Sequence, residues 1–244
     1  FPHTTLFDLF GIGFFETILI LDGPCFLSDH VKRINASLEV FGIERRLTET
    51  CLNQLIRTHA WQNTVLKIVI SECNAMAITR SIPYTEKHYE DGFSLTQSTV
   101  TKSTHSAFVA HKSLNYGENI WALKAAKKEG YSDCLFFNEY GNITESTLAN
   151  VFIIEDGQLI TPPLSDGLLP GIIRNKIIDN FEVKQEAITP ERILKCEGAF
   201  LTNSVVGVIR VSDYVGIRVP ENPMVDEIRL KILEKARCSY AVQN

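Results

Sequence analysis

Five local features of this chain bring together residue types that can do chemistry. Lys112 stands between a Ser/Thr-rich stretch and a helix-forming run, in His-Lys-Ser-Leu-Asn-Tyr. Glu145 lies in Asn-Ile-Thr-Glu-Ser-Thr, a segment with few charges that runs into an apolar strand. A carboxylate there must be exposed or have a dedicated partner, because an unpaired buried charge is costly. The run Leu169-Pro-Gly-Ile-Ile-Arg174 reads as a helix start, with proline where its missing N–H costs nothing and backbone N–H groups that favour an anion. Arg33 offers a planar fork suited to paired oxygen contacts. Thr202-Asn203-Ser204 ends an apolar strand with hydroxyl and amide groups that either face a cleft or cap a β-turn. Each has a plain structural alternative: a loop lysine is usually a solvated charge, and Arg33 an ordinary exposed helix residue. Together they look like parts of a site for a phosphate-bearing cofactor.

These residues need elements to position them. The stretch 14–21 is apolar and β-rich, and Asp22-Gly23 followed by Cys25-Phe26-Leu27 predicts a turn and a second strand. Ser28 or Asp29 then caps a helix with Val31, Ile34, Leu38 and Phe41 at helical spacing, stopping at Gly42. His30 and Arg33 fall off that stripe, available at a surface or in a cleft. A helix capped by Thr48 and strands at 65–71, 75–80 and 93–100 complete a small α/β domain over 1–103. The stretch 101–110 breaks the periodicity, which suggests a linker over 104–111 and a second domain over 112–244. That domain opens with a helix over 118–129, Ile120 and Leu123 inward, and continues with strands at 134–138, 148–154, 183–187, 199–202 and 205–211. An amphipathic helix over 225–240 closes it.

The 244 residues, 45% apolar and 22% charged, can bury a sizeable core as one large domain or two modest ones. A formal charge of −5 and a pI near 5.7 argue against a nucleic-acid partner, whose affinity needs a basic face. The basic run at 124–128 reads as a solvated helix face. No apolar run is long enough for a membrane helix, and the Phe-Pro-His start lacks signal-peptide features. Six scattered cysteines with no Cys-x-x-Cys suggest neither a metal site nor a redox pair, and the cytoplasm as the simplest compartment.

The ordered set Phe15-Glu-Thr17, His30 with Arg33, Lys112-Ser-Leu-Asn-Tyr116, Asn142-Ile-Thr-Glu145-Ser-Thr, Asn150-Val-Phe, Leu169-Pro-Gly-Ile-Ile-Arg174 and Phe200-Leu-Thr-Asn-Ser204 resembles the class IV aminotransferase family. The resemblance implies an α+β, two-domain fold of pyridoxal-phosphate fold type IV, with a small N-terminal α/β domain and a larger C-terminal pseudo-barrel. It implies pyridoxal 5′-phosphate as cofactor, a small-molecule amino substrate and a homodimer. Position by position, Lys112 matches the lysine that holds the cofactor as a Schiff base and Glu145 the acid that pairs with its pyridine nitrogen. Arg33, the backbone of Ile172 and Ile173, and Thr202 with Asn203 match the phosphate cradle, and Tyr116 a position close to the cofactor. Phe15 is a candidate on the substrate side; the stretch Arg80-Ser-Ile-Pro-Tyr lacks the Arg-Gly and Arg-x-His pattern by which several transaminases hold a substrate carboxylate, and Arg80 is the candidate left for that contact. Within the family, Phe-Leu-Thr-Asn-Ser followed by Val-Val-Gly-Val is most similar to 4-amino-4-deoxychorismate lyases, which release pyruvate and form 4-aminobenzoate for folate synthesis. A class IV transaminase of D- or branched-chain amino acids is the alternative, and a non-catalytic scaffold the second. A chain freed from cofactor binding has no chemical need to keep Lys112, Glu145 and Arg33 together.

Overall fold

The computed structural model describes residues 11–241 of the chain. These form two compact units, and the chain crosses between them more than once. One unit takes the chain up to Pro83, His111–Asn115 and the residues from Leu233 on; the other takes Tyr84–Ala110 and Tyr116–Ile232. Of the stretch 104–111, expected as a linker, residues 104–110 lie inside the second unit and His111 inside the first.

The first unit is an antiparallel sheet of three strands, β1 (Gly13–Ile20), β2 (Thr64–Ser71) and β3 (Ala75–Arg80), in that order. Alternation along β1 sends Phe14, Ile18 and Ile20 to a face packed with helices α1 (Leu27–Val40) and α2 (Glu49–Thr58). Leu27, Ile34, Leu38, Leu52 and Ile56 meet them there, each worth about 1.5–3 kcal/mol on burial. Thr48 caps α2, its hydroxyl accepting from the Cys51 N–H at 3.1 Å. The second strand expected at Cys25-Phe26-Leu27 does not form. Pro24 makes a single bridge to Ile20 and has no N–H to extend a ladder. Phe26 turns left-handed (φ 53°) and α1 begins at once, with neither Ser28 nor Asp29 at its cap.

The second unit is built on a closed six-stranded barrel. Strands β4 (Phe93–Lys102), β5 (Asp133–Asn138), β6 (Ile143–Ser146), β7 (Asn150–Glu155), β10 (Gly198–Asn203) and β11 (Gly207–Tyr214) follow one another, and β10 closes the ring on β7. Strands β8 (Gln158–Thr161) and β9 (Val183–Gln185) extend the sheet from β7, and β12 (Ile217–Arg218) pairs with β11. The run Val151–Ile154 is apolar at every position because both faces of β7 are buried. Phe152 and Phe200 stack across the β7–β10 pair at 4.9 Å.

Helices α3 (Glu86–Asp91), α4 (Gly117–Lys128), α5 (Ile172–Ile178) and α6 (Pro190–Lys195) belong to the same unit. The closing helix α7 (Pro223–Ala241) runs from one unit into the other. On α4 the inward residues are Asn119, Ala122 and Ala126, whereas Ile120, expected inside, is 41% exposed. Asn119 is drawn in by hydrogen bonds to Lys102 and to the Thr147 carbonyl, and the alanines allow close approach to Cys134 and Phe136.

Candidate active site

Lys112 is held against the free edge of β1. Its carbonyl accepts from the Phe15 N–H at 2.8 Å, Leu114 donates to Gly13 at 2.8 Å, and Ser113 bridges Phe14. His111 anchors this segment, its ring edge-on to Phe41 at 5.1 Å and Nδ1 2.9 Å from the Ser37 hydroxyl. The Lys112 ammonium lies 4.5 Å from the centre of the Phe15 ring. Lys67 of β2 places its Nζ 4.3 Å from the same ring. Partial burial, and then the charge of Arg80, pull the Lys67 pKa below its ordinary value. The β1–β2–β3 register sets Phe15, Thr17, Lys67, Ile78 and Arg80 on one face of the sheet. Phe15 and Arg80 were expected on the substrate side; Lys67 was not, because a lysine inside an alternating strand reads as its solvent face.

The other face of β1 carries Glu16, wholly buried. Arg33 donates to it through Nε (2.7 Å) and Nη2 (2.7 Å), and His30 Nδ1 lies 2.6 Å from its second oxygen. Burial alone would raise the Glu16 pKa, but Arg33 and His30 outweigh it and hold the carboxyl below the usual range. Burial lowers the His30 pKa against the pull of Glu16, so the ring is neutral and donates from Nδ1. His30 and Arg33, expected at a surface or cleft, are therefore 0% and 13% exposed.

In the second unit the matched residues gather on neighbouring strands. Glu145 of β6 pairs with Asn150 of β7, which pairs with Thr202 of β10. The Glu145 carboxylate accepts from the Leu169 N–H at 3.1 Å and, more weakly, from Asn150 Nδ2 at 3.4 Å. Asn150 Nδ2 also donates to the Leu169 carbonyl at 2.9 Å, which ties the Leu-Pro-Gly turn to Glu145. Just past Glu145, Thr147 is pinned from two sides. Its hydroxyl donates to buried Asp133 at 2.6 Å, while its carbonyl accepts from the Tyr116 hydroxyl and from Asn119, each at 2.9 Å. Lys102 donates to Asn119 at 2.7 Å and lies 4.4 Å from the Phe136 ring centre; burial lowers its pKa and the Glu145 carboxylate opposes that.

Two features of this unit suit a phosphate-bearing cofactor. The Thr202 hydroxyl is buried without a hydrogen-bond partner among the described residues, which a native fold rarely leaves unexplained. Beside it in the register, Asn150 crowds Gly171 so closely that a Cβ there would overlap its Oδ1, so the backbone entering α5 stays bare. The first turn of α5 leaves the Ile172 and Ile173 N–H groups without intrahelical acceptors. Asn203 is used differently: its side-chain oxygen accepts from the Val205 and Val206 N–H groups, both at 2.8 Å, and shapes the β10–β11 turn.

Residues 13–214 match the family model described as amino-transferase class IV. The chain belongs to the class IV aminotransferase family. Its cofactor is pyridoxal 5′-phosphate, and the protein is an enzyme. A Methanocaldococcus jannaschii protein, provisionally named a branched-chain-amino-acid aminotransferase, is 28% identical over 93% of this chain and 86% of its own length. The aminodeoxychorismate lyase of Bacillus subtilis is 26% identical over 82% of this chain and 77% of its own. A crystal structure from Legionella pneumophila, provisionally named a 4-amino-4-deoxychorismate lyase, superposes with a TM-score of 0.85 at 27% identity, covering 96% of each chain. The two-unit α+β architecture with its closed barrel is that of the class IV fold.

Proposed function

We propose that the protein is a 4-amino-4-deoxychorismate lyase, forming pyruvate and 4-aminobenzoate. The observation that carries this reading is the cationic face around Phe15. Lys67 and Arg80 share it, Lys112 reaches the same ring, and no carboxylate pairs with Lys67 or Arg80 among the described residues. Lys67 and Arg80, sharing a face without an acid among the described residues, favour an anionic ligand. Aminodeoxychorismate carries two carboxylates, one on the ring and one on the enolpyruvyl group, whereas a branched-chain amino acid carries one and an apolar side chain.

In this reading Lys112 would hold the cofactor through its amine and, once released, would move the proton from the carbon bearing the substrate amine. The ether C–O bond breaks, the enolpyruvyl group leaves with its oxygen and takes a proton to become pyruvate, and the ring becomes aromatic. Bound pyridoxal phosphate supplies the electron sink for that proton loss. Glu145, held by Leu169 and Asn150, would be the acid that keeps the pyridine nitrogen protonated. By the family resemblance, Arg33, the Ile172 and Ile173 N–H groups, and the Thr202 hydroxyl are each phosphate-contact candidates. Tyr116, fixed through the Thr147 carbonyl, packs beside the cofactor.

The name of the Methanocaldococcus relative, with Met76 and Ile78 bare on the Lys67 face, favours a branched-chain transaminase as the second reading. Supplying aminodeoxychorismate, or an amino acid with 2-oxoglutarate, while following pyruvate and glutamate together, separates the two. The lyase yields pyruvate, and Lys67→Ala and Arg80→Ala raise its KM. Brisk glutamate formation without pyruvate overturns the reading. A homodimer belongs to the same proposal: β3 is an exposed edge strand along its whole length, and such edges are normally covered. The six free cysteines, half of them buried, fit the reducing cytoplasm.

A further inference from the structure

Glu16 has no role in the chemistry above, yet it is a carboxylate held from several sides. It is wholly buried, takes two hydrogen bonds from Arg33 at 2.7 Å, and has His30 2.6 Å from one of those oxygens. A buried charge is tolerated only with partners of this quality. The three residues come from two elements: Glu16 from β1, and His30 and Arg33 from successive turns of α1.

We propose that Glu16 is the positioning residue that fixes Arg33 for the phosphate of the cofactor, with His30 holding Glu16 in turn. The proposal rests on the assignment of Arg33 to the phosphate. An unrestrained arginine loses much rotamer freedom when it clamps an anion, and here that freedom is surrendered on folding. The carboxylate takes the Nε edge, two of five N–H donors, and so sets the plane of the guanidinium. Orientation is bought against charge, because a carboxylate beside Arg33 also reduces its attraction for a phosphate. The sign of the Glu16→Gln effect therefore decides between the two. A glutamine amide presents its own N–H donors to the guanidinium and breaks the fork. If Glu16 merely fastens α1 to β1, its loss weakens the fold and every ligand alike.

The test is a titration of the full-length apoenzyme with pyridoxal 5′-phosphate and, separately, with pyridoxal, which forms the same lysine linkage but has no phosphate. Arg33→Ala is the control. It is expected to weaken the phosphorylated ligand selectively; if both ligands weaken equally, the phosphate assignment fails and the proposal with it. Glu16→Gln is then expected to raise the Kd for pyridoxal phosphate about tenfold, the scale of one charge-assisted hydrogen bond, and that for pyridoxal by less than about twofold. Equal weakening of both, or tighter binding of pyridoxal phosphate, overturns the role of Glu16 while leaving Arg33 in place. His30→Gln loosens Glu16 without removing its charge and keeps the question answerable if Glu16→Gln does not fold. A selective loss of about threefold supports the proposal, and an unselective one overturns it.

Discussion

Replacing Gly171 by alanine should damage the Glu145 side of the site through Asn150 alone. The backbone at Gly171 (φ −68°, ψ 140°) is open to any residue, so conformational strain contributes nothing. The added Cβ overlaps Asn150 Oδ1 outright and comes within 3.1 Å of its Cγ, tighter than most real contacts of a side-chain carbon. Asn150 must swing away, giving up its 2.9 Å bond to the Leu169 carbonyl and its 3.4 Å contact with Glu145. Polar groups left unpaired in this 4% exposed position cost about 1–3 kcal/mol. An off-rotamer asparagine adds about 0.5–1.5 kcal/mol. Stiffening the unfolded chain returns about 0.4–1 kcal/mol. The net loss of roughly 0.5–4 kcal/mol lowers the melting temperature by about 2–4 °C per kcal/mol for a chain of this size. Melting the apoenzyme measures it, and a double-mutant cycle with Asn150→Ala isolates the cause. With the asparagine side chain gone, Gly171→Ala should cost less than about 0.5 kcal/mol. A change in melting temperature under about 1 °C in the wild-type background, or an equal loss in both backgrounds, refutes the reasoning.

Thr202→Val removes a buried hydroxyl that has no partner in the described residues, so the apoenzyme should melt at the same temperature or slightly higher. Affinity for pyridoxal phosphate should fall about tenfold if that hydroxyl serves the phosphate; an unchanged affinity removes Thr202 from the cradle. His30 is kept neutral by burial, its folded pKa below the unfolded value near 6.5. The unfolded chain therefore takes up a proton that the folded chain refuses, and stability falls as pH drops through that value, by at most about 1.4 kcal/mol per pH unit. Glu16 stays ionised across this window because its carboxyl is held below the usual range. Melting curves from pH 8 to 5 should slope less for His30→Gln than for wild type; His111, also lowered by burial, contributes equally to both. Parallel slopes refute a neutral buried His30.

How much of this was legible in the chain depended on whether the signal is local. The strands β1, β2 and β3, the Thr48 cap and the Pro-Gly entry to α5 each follow from a few consecutive residues, and they appear where the pattern puts them. Lys112, Glu145, Arg33 and Thr202 stand out as a set because their motifs occur in one order along the chain.

What the sequence could not decide was which faces meet. Alternation along Phe15-Glu16 says that one side chain points each way, but only the register with β2 and β3 brings Lys67 and Arg80 to the Phe15 face and leaves Glu16 for His30 and Arg33. Those last two lie off the apolar stripe of α1, which leaves surface and cleft equally open; a buried carboxylate from another element turns them inward. Ile120 and Asn119 exchange their expected places for the same reason, since hydrogen bonds to Lys102 and the Thr147 carbonyl outweigh the gain from one isoleucine. Side-chain identity and local spacing determine the elements and the order of the motifs. Pairing between distant segments decides which charges are buried together, because the cost of burying a charge is set by partners that lie far away in the chain.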